Sequence, residues 1–102
     1  MEVSSSRPSP GVFHVRAAGE IDMATVGTVQ RHLAEAIGAD DTVEVILNLA
    51  AVTFCDSSGI AAFDEAYGRA TTRGIRFRVE QPQPVVSRIL EIVGLLDALT
   101  GR

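Results

Sequence analysis

Asp56-Ser57-Ser58-Gly59 is the stretch of this chain whose residue types most directly offer chemistry, with two hydroxyls beside a carboxylate. It falls where an apolar, strand-like run from Leu47 to Cys55 breaks and an apolar pattern of helical spacing resumes at Ile60. A strand end that hands directly to a helix start leaves backbone N–H groups without partners, and Asp and Ser are the residue types that satisfy them. Two readings of the serines therefore stand side by side. In one they cap the helix and do nothing more. In the other they also face water, where another protein can modify them. Asp22, closing Gly19-Glu20-Ile21-Asp22, offers a second carboxylate after an earlier strand.

An enzyme would need more than this. Ser57 as a nucleophile calls for a base, and His14 and His32 are the two histidines. The strand–turn–helix elbow of an α/β-hydrolase wants Gly two residues before the serine, where Cys55 stands, and a histidine after it in the chain, where none occurs. His14 on a strand face and His32 on the outer face of a helix are expected as solvated imidazoles. Two separated histidines and one cysteine make no spaced metal-ligand set. Asp22 and Asp56 are able to hold a cation, but an Asp at a helix start is more often only a cap. No Gly-rich phosphate loop is present. The residues predict no catalysis, no metal and no cofactor.

With 102 residues and a formal charge of −4, the chain reads as one domain whose function sits on its surface. The absence of a Lys/Arg run argues against nucleic acid, which is bound by a clustered basic face. A basic or neutral protein partner fits better. Cys55 is the single cysteine, so an internal disulfide is excluded and a reducing, cytoplasmic setting is expected, with the thiol inert and half-buried. No run of about 18 apolar residues and no charged-then-apolar leader pattern is present, so a soluble protein is expected.

The elements that must position the serines follow from periodicity. Residues 1–10, with three consecutive serines and Arg7-Pro8-Ser9-Pro10, read either as a flexible lead-in or as a weak edge strand around Val3. Residues 11–102 read as the domain itself. Phe13, Val15 and Ala17 alternate with His14 and Arg16 in a strand from Gly11 to Ala18. Val26, Val29, Leu33, Ala36 and Ile37 mark a helix from Thr25 to Ala39. Val43 to Leu49 is nearly all apolar and is expected as a central strand covered on both faces. Ile60, Phe63, Ala66, Tyr67 and Ala70 mark a second helix, and Ile75, Phe77 and Val79 a strand. Pro82 and Pro84 bracket the entry to a third helix with Val85, Val86, Ile89, Leu90 and Val93 on its inner face and Gly94 at its end. Leu95, Leu96 and Leu99 are expected to fold back onto the core. The alternation predicts an α/β fold with a mostly parallel four-stranded sheet, with or without an extra edge strand, and amphipathic helices packed on it. Right-handed crossovers line up strand ends and helix starts along one rim. The Asp22 and Asp56 turns are then neighbours in space.

Gly19-Glu20-Ile21-Asp22, the strand Val45-Ile46-Leu47-Asn48-Leu49 and Val52-Thr53-Phe54-Cys55-Asp56-Ser57-Ser58-Gly59-Ile60 together resemble the STAS domain family, and within it the bacterial anti-sigma-factor antagonists. The resemblance spans about Gly11 to Leu96. It implies that an anti-sigma factor with serine-kinase activity phosphorylates the first serine of the pair, Ser57. Asp22, Asp56, Ser58 and Gly59 then lie in the partner-binding surface, and a phosphatase resets the switch. The unmodified antagonist binds the anti-sigma factor and frees a sigma factor for transcription. A STAS scaffold without phosphate control, such as a small subunit of a lipid-transport ATPase complex, is the alternative. Three departures stand out: Asn48 where many relatives carry Asp, Cys55 for a commoner apolar residue, and an end at Arg102 before a long final helix. The last would alter partner choice or leave a face open for self-association.

Overall fold

A computed structural model describes residues 1–101. In chain order the elements are β1 (Glu2–Ser9), β2 (Val12–Ile21), α1 (Val26–Gly38), β3 (Glu44–Cys55), α2 (Ser57–Thr72), β4 (Arg76–Glu80), α3 (Pro84–Ile92) and α4 (Leu96–Thr100). The strands form one sheet in the order β1-β2-β3-β4, antiparallel between β1 and β2 and parallel elsewhere. This is the expected α/β arrangement, and β1 is the fourth strand.

Of the two readings of residues 1–10, the strand is the one observed, running from Glu2↔Ala18 to Ser9↔Val12 against β2. Its serines need no core of their own, because the β2 ladder satisfies their backbone groups. Arg7 stacks on the Phe13 ring at 4.6 Å and pairs with Asp41. Gly11, at φ +77°, makes the tight turn between the two strands. Its carbonyl accepts from the N–H groups of Val43 and Glu44.

Register shows how the sheet is faced. Val15, Leu47 and Val79 lie side by side, as do Phe13, Val45 and Phe77. These side chains meet Val29 and Leu33 of α1, Phe63 of α2, Val86 and Leu90 of α3, and Leu99 of α4 in a single core. The alternate positions His14, Ile46 and Arg78, and Arg16, Asn48 and Glu80, form the other face. Val45 to Leu49 are all buried, as expected of a central strand covered on both faces, but different neighbours bury the two faces. Helices cover one face only. Ile46 lies outside the helix-side core, yet it and Asn48 are each only 8% exposed, between β2 and β4 in the sheet.

Two corrections concern α3 and His14. Val86 and Leu90 are buried, but Val85 and Val93 are about half exposed and Ile92 is 71% exposed. A nine-residue helix with apolar residues around its circumference buries only the side that meets the sheet. His14 is not a freely solvated imidazole: its Nε2 lies 2.8 Å from Glu80 Oε1, across β3.

Candidate functional site

β3 sets up the site by losing strict alternation. Arg16 pairs with Asn48 but Ala18 with Ala51, and Gly19 pairs with Val52 but Glu20 with Phe54. Each shift adds one residue to β3, as in a β-bulge, so the buried positions run Leu49, Val52, Cys55, three apart instead of two. The first irregularity is held by Asn48, whose Oδ1 accepts from the Ala50 N–H at 3.0 Å. The same side chain donates from Nδ2 to Glu80 Oε1 at 2.9 Å, and Gln83 donates to the Ala50 carbonyl at 2.8 Å. The entry to α3 is thereby tied to the bulged stretch of β3. Hydrogen bonds from Asn48 first, and from His14, hold the Glu80 carboxyl below its ordinary range.

Beyond Cys55 the chain turns at Asp56, whose N–H donates to the Ile21 carbonyl at 3.0 Å. The ends of β2 and β3 are therefore side by side, as the rim argument requires. Asp56 is the N-cap of α2, its Oδ1 accepting from the Ser58 N–H at 2.9 Å and from the Ser58 hydroxyl. The Ser58 hydroxyl above all, with the N–H groups of Ser58, Gly59 and Met23 added, holds the Asp56 carboxyl below its ordinary range against a smaller opposing effect of burial. Asp22 orders the turn before α1, its carboxylate accepting from the N–H groups of Ala24 and Thr25 at 2.9 and 3.1 Å, while the N-cap of α1 is Thr25.

The two serines are not equivalent. Ser58 is half-buried and committed to Asp56. Ser57 is exposed, and among the described residues no side-chain hydrogen bond engages it. Gly59, expected in the partner surface, is buried. That is a correction with a steric cause: a Cβ there would collide with Cys55 Sγ and lie 2.8 Å from Ile21 Cγ2. Gly59 lets the first turn of α2 sit down on the strand ends. Cys55 is buried more deeply than expected, and burial, with the Asp56 charge beside it, pushes its thiol up to about 11.

Beside Ser57 the surface opens into a groove of about 440 Å³, walled by Asp56, Ser57 and Ile60 on one side and Ile89, Val93 and Leu95 on the other. Sequence reasoning missed the α3 wall of this groove. The signal was present in Val85-Val86-Ser87-Arg88-Ile89-Leu90-Glu91-Ile92-Val93, which carries more apolar residues than one buried face uses. Among the described residues no cluster of His, Cys, Asp and Glu is arranged to hold a metal ion. None of the described helices is long and apolar enough to cross a membrane.

The family model of the STAS domain matches residues 5–101. The chain belongs to the STAS domain family. This STAS domain is 33% identical over 89 residues to the anti-sigma F factor antagonist of Paenibacillus polymyxa, covering 87% of this chain and 76% of that protein. Among solved structures, the anti-sigma factor antagonist SpoIIAA in its unphosphorylated form superposes with a TM-score of 0.82 at 21% identity, over 93% of this chain and 83% of that one. The Bacillus cell fate determinant SpoIIAA in its phosphorylated form gives a TM-score of 0.76 at 20% identity, over 92% and 85% of the two chains. At these identities the structural likeness is one of fold.

Proposed function

We propose that this STAS domain is an anti-sigma-factor antagonist, and that a kinase-type anti-sigma factor switches it off by phosphorylating Ser57. The observation that carries the reading is the inequality of the serine pair: Ser57 offers an exposed, uncommitted hydroxyl beside an apolar groove, whereas Ser58 is held by Asp56. The anti-sigma F factor antagonist of Paenibacillus polymyxa supports the general role. The likeness to SpoIIAA, solved in its phosphorylated form, supports the compatibility of this fold with phosphorylation.

The chemistry belongs to the partner. Ser57 Oγ attacks the γ-phosphorus of the ATP that the kinase holds, the bond to the bridging oxygen breaks, ADP leaves, and the hydroxyl proton passes to a base on the kinase. This domain contributes an accessible nucleophile at a rigid helix start and is not itself an enzyme. A phosphatase reverses the modification, and both partners act on it in the cytoplasm.

The electrostatics suit a switch. A phosphoserine adds about 1.5 to 2 negative charges at a helix start. The helix dipole tolerates them, but Asp56 and Asp64 line the same groove and, among the described residues, no Lys or Arg does. Two unit charges about 5 Å apart at an effective dielectric near 20 repel by about 3 kcal/mol before screening. A fraction of that, directed at a docked partner surface, changes affinity by about tenfold.

Incubation with the kinase and ATP, read by intact mass, tests the reading. The wild type and Ser58→Ala gain one phosphoryl group and Ser57→Ala gains none. An unmodified wild type under conditions where the kinase binds it would leave a scaffold without phosphate control.

A further inference from the structure

The groove beside Ser57 changes its chemistry from one end to the other. Ser57, Ile60, Ala61 and Asp64 follow helical spacing along α2 and so form one wall, running from a hydroxyl through Ile60 and the small Ala61 to a carboxylate. Ile89 of α3 and Val93 just after it stand opposite. Ala61 and Asp64 are exposed and Val93 is half exposed, so the groove is open to a visitor. Among the described residues Asp64 forms no ion pair, and no Lys or Arg lines the groove to offer one. The Asp56 carboxylate differs, since the Ser58 N–H and hydroxyl already take it up.

We propose that this groove holds a segment of the kinase-type anti-sigma factor that carries an apolar side chain beside a Lys or Arg. The apolar group sits against Ala61, between Ile60 and Val93, and the cation pairs with Asp64. This docking rests on the role given to Ser57 and adds the chemistry of the partner surface. A kinase has to close over Ser57 to bring its nucleotide to the hydroxyl, and a standard interface covers roughly 800 Å² per partner. A footprint of that size centred on Ser57 takes in the groove, because Asp64 lies only about 10 Å further along α2. Charge then selects the visitor. An acidic segment would bring a second carboxylate to Asp64 where no cation offsets it, whereas a basic segment supplies the missing partner. The two ends of the groove stay distinct after phosphorylation. At Ser57 the partner presents the phosphates of its nucleotide, which a phosphoserine repels, and at Asp64 it presents a cation. Their separation of about 10 Å exceeds the screening length of about 8 Å at physiological salt, so attraction at one end does not cancel repulsion at the other.

Steady-state phosphorylation of the full chain by a kinase-type anti-sigma factor with ATP, read by intact mass, tests the docking. Asp64→Lys should raise KM for this domain about tenfold. Ala61→Phe, whose ring fills the opening, should also raise KM, and in both variants kcat should stay within about twofold because Ser57 and its cap are untouched. Glu65→Lys makes the same change of charge outside the groove and should leave KM where it is. Unchanged far-ultraviolet circular dichroism melts would show that these exposed substitutions leave the fold intact. A wild type that gains no phosphate overturns the reading of Ser57 and the docking with it. A phosphorylated wild type whose KM is unmoved by Asp64→Lys or by Ala61→Phe, or is moved as far by Glu65→Lys, overturns the docking alone. So does a KM that falls in Asp64→Lys, since the occupant would then be acidic. A wild-type dimer that Ala61→Phe dissociates with KM unmoved would give the groove to a second copy and overturn it too.

Discussion

Asp56 donates its backbone N–H to the carbonyl of Ile21 at 3.0 Å, and this one bond brings together two turns that lie more than thirty residues apart in the chain. It makes the end of β2 and the end of β3 a shared rim. Asp22 orders the turn that leads into α1 on one side of that rim, and Asp56 caps α2 on the other. Ser57 rides on the Asp56 cap, so whatever holds Asp56 in place also holds the hydroxyl in place.

Gly59 should be intolerant of the smallest substitution. Gly59→Ala puts a methyl group into Cys55 Sγ and Ile21 Cγ2, an overpacking expected to cost about 1–3 kcal/mol. Cys55→Ala in the same chain removes the nearer of the two obstacles and should restore part of that loss. Urea midpoints of the two single variants and the double variant measure the recovery, and additive losses would contradict the steric account.

Asn48 is required as an amide and not only as a hydrogen-bond acceptor. Asn48→Asp keeps the acceptor for the Ala50 N–H but loses the donor to Glu80 and sets two carboxylates together. Destabilisation of about 1–3 kcal/mol is expected at neutral pH. The penalty should shrink as the pH falls and one carboxylate takes up a proton, which chemical denaturation at neutral and mildly acidic pH will reveal.

Acid should weaken the fold through two known groups. Asp56 and Glu80 both have folded-state values below their ordinary 3.8 and 4.5. Each therefore contributes stability that is complete above its ordinary value and is lost as the pH falls through the depressed one. Denaturation midpoints should stay level at mild acidity and decline below about pH 4.5. Glu80→Gln and Asp56→Asn should each show a shallower decline than the wild type.

The Cys55 thiol should be unreactive in the folded protein. With its value pushed up to about 11, the thiolate fraction at pH 8 is on the order of one in a thousand, before access is considered. A disulfide reagent should label the native domain at least about 100-fold more slowly than the urea-unfolded chain. Equal rates would mean that the strand ends open readily.

The α/β order and the helix starts at Asp56 and Pro84 could be read from the chain, because each rests on local periodicity or on capping chemistry within a few residues. The neighbourhood of Asp22 and Asp56 was also legible, through the handedness of parallel connections. Tertiary structure alone decided three matters. It decided which hydroxyl is committed, since Ser57 and Ser58 are the same residue type and only the direction of the Asp56 carboxylate ties down Ser58. It placed Gly59 beneath the helix start, because close approach to Ile21 depends on contact between distant segments. It also left one face of the sheet without helices and one side of α3 exposed. An apolar run records that a segment avoids water, but which neighbour shields it depends on how many layers the fold assembles, and here helices cover only one face of the sheet.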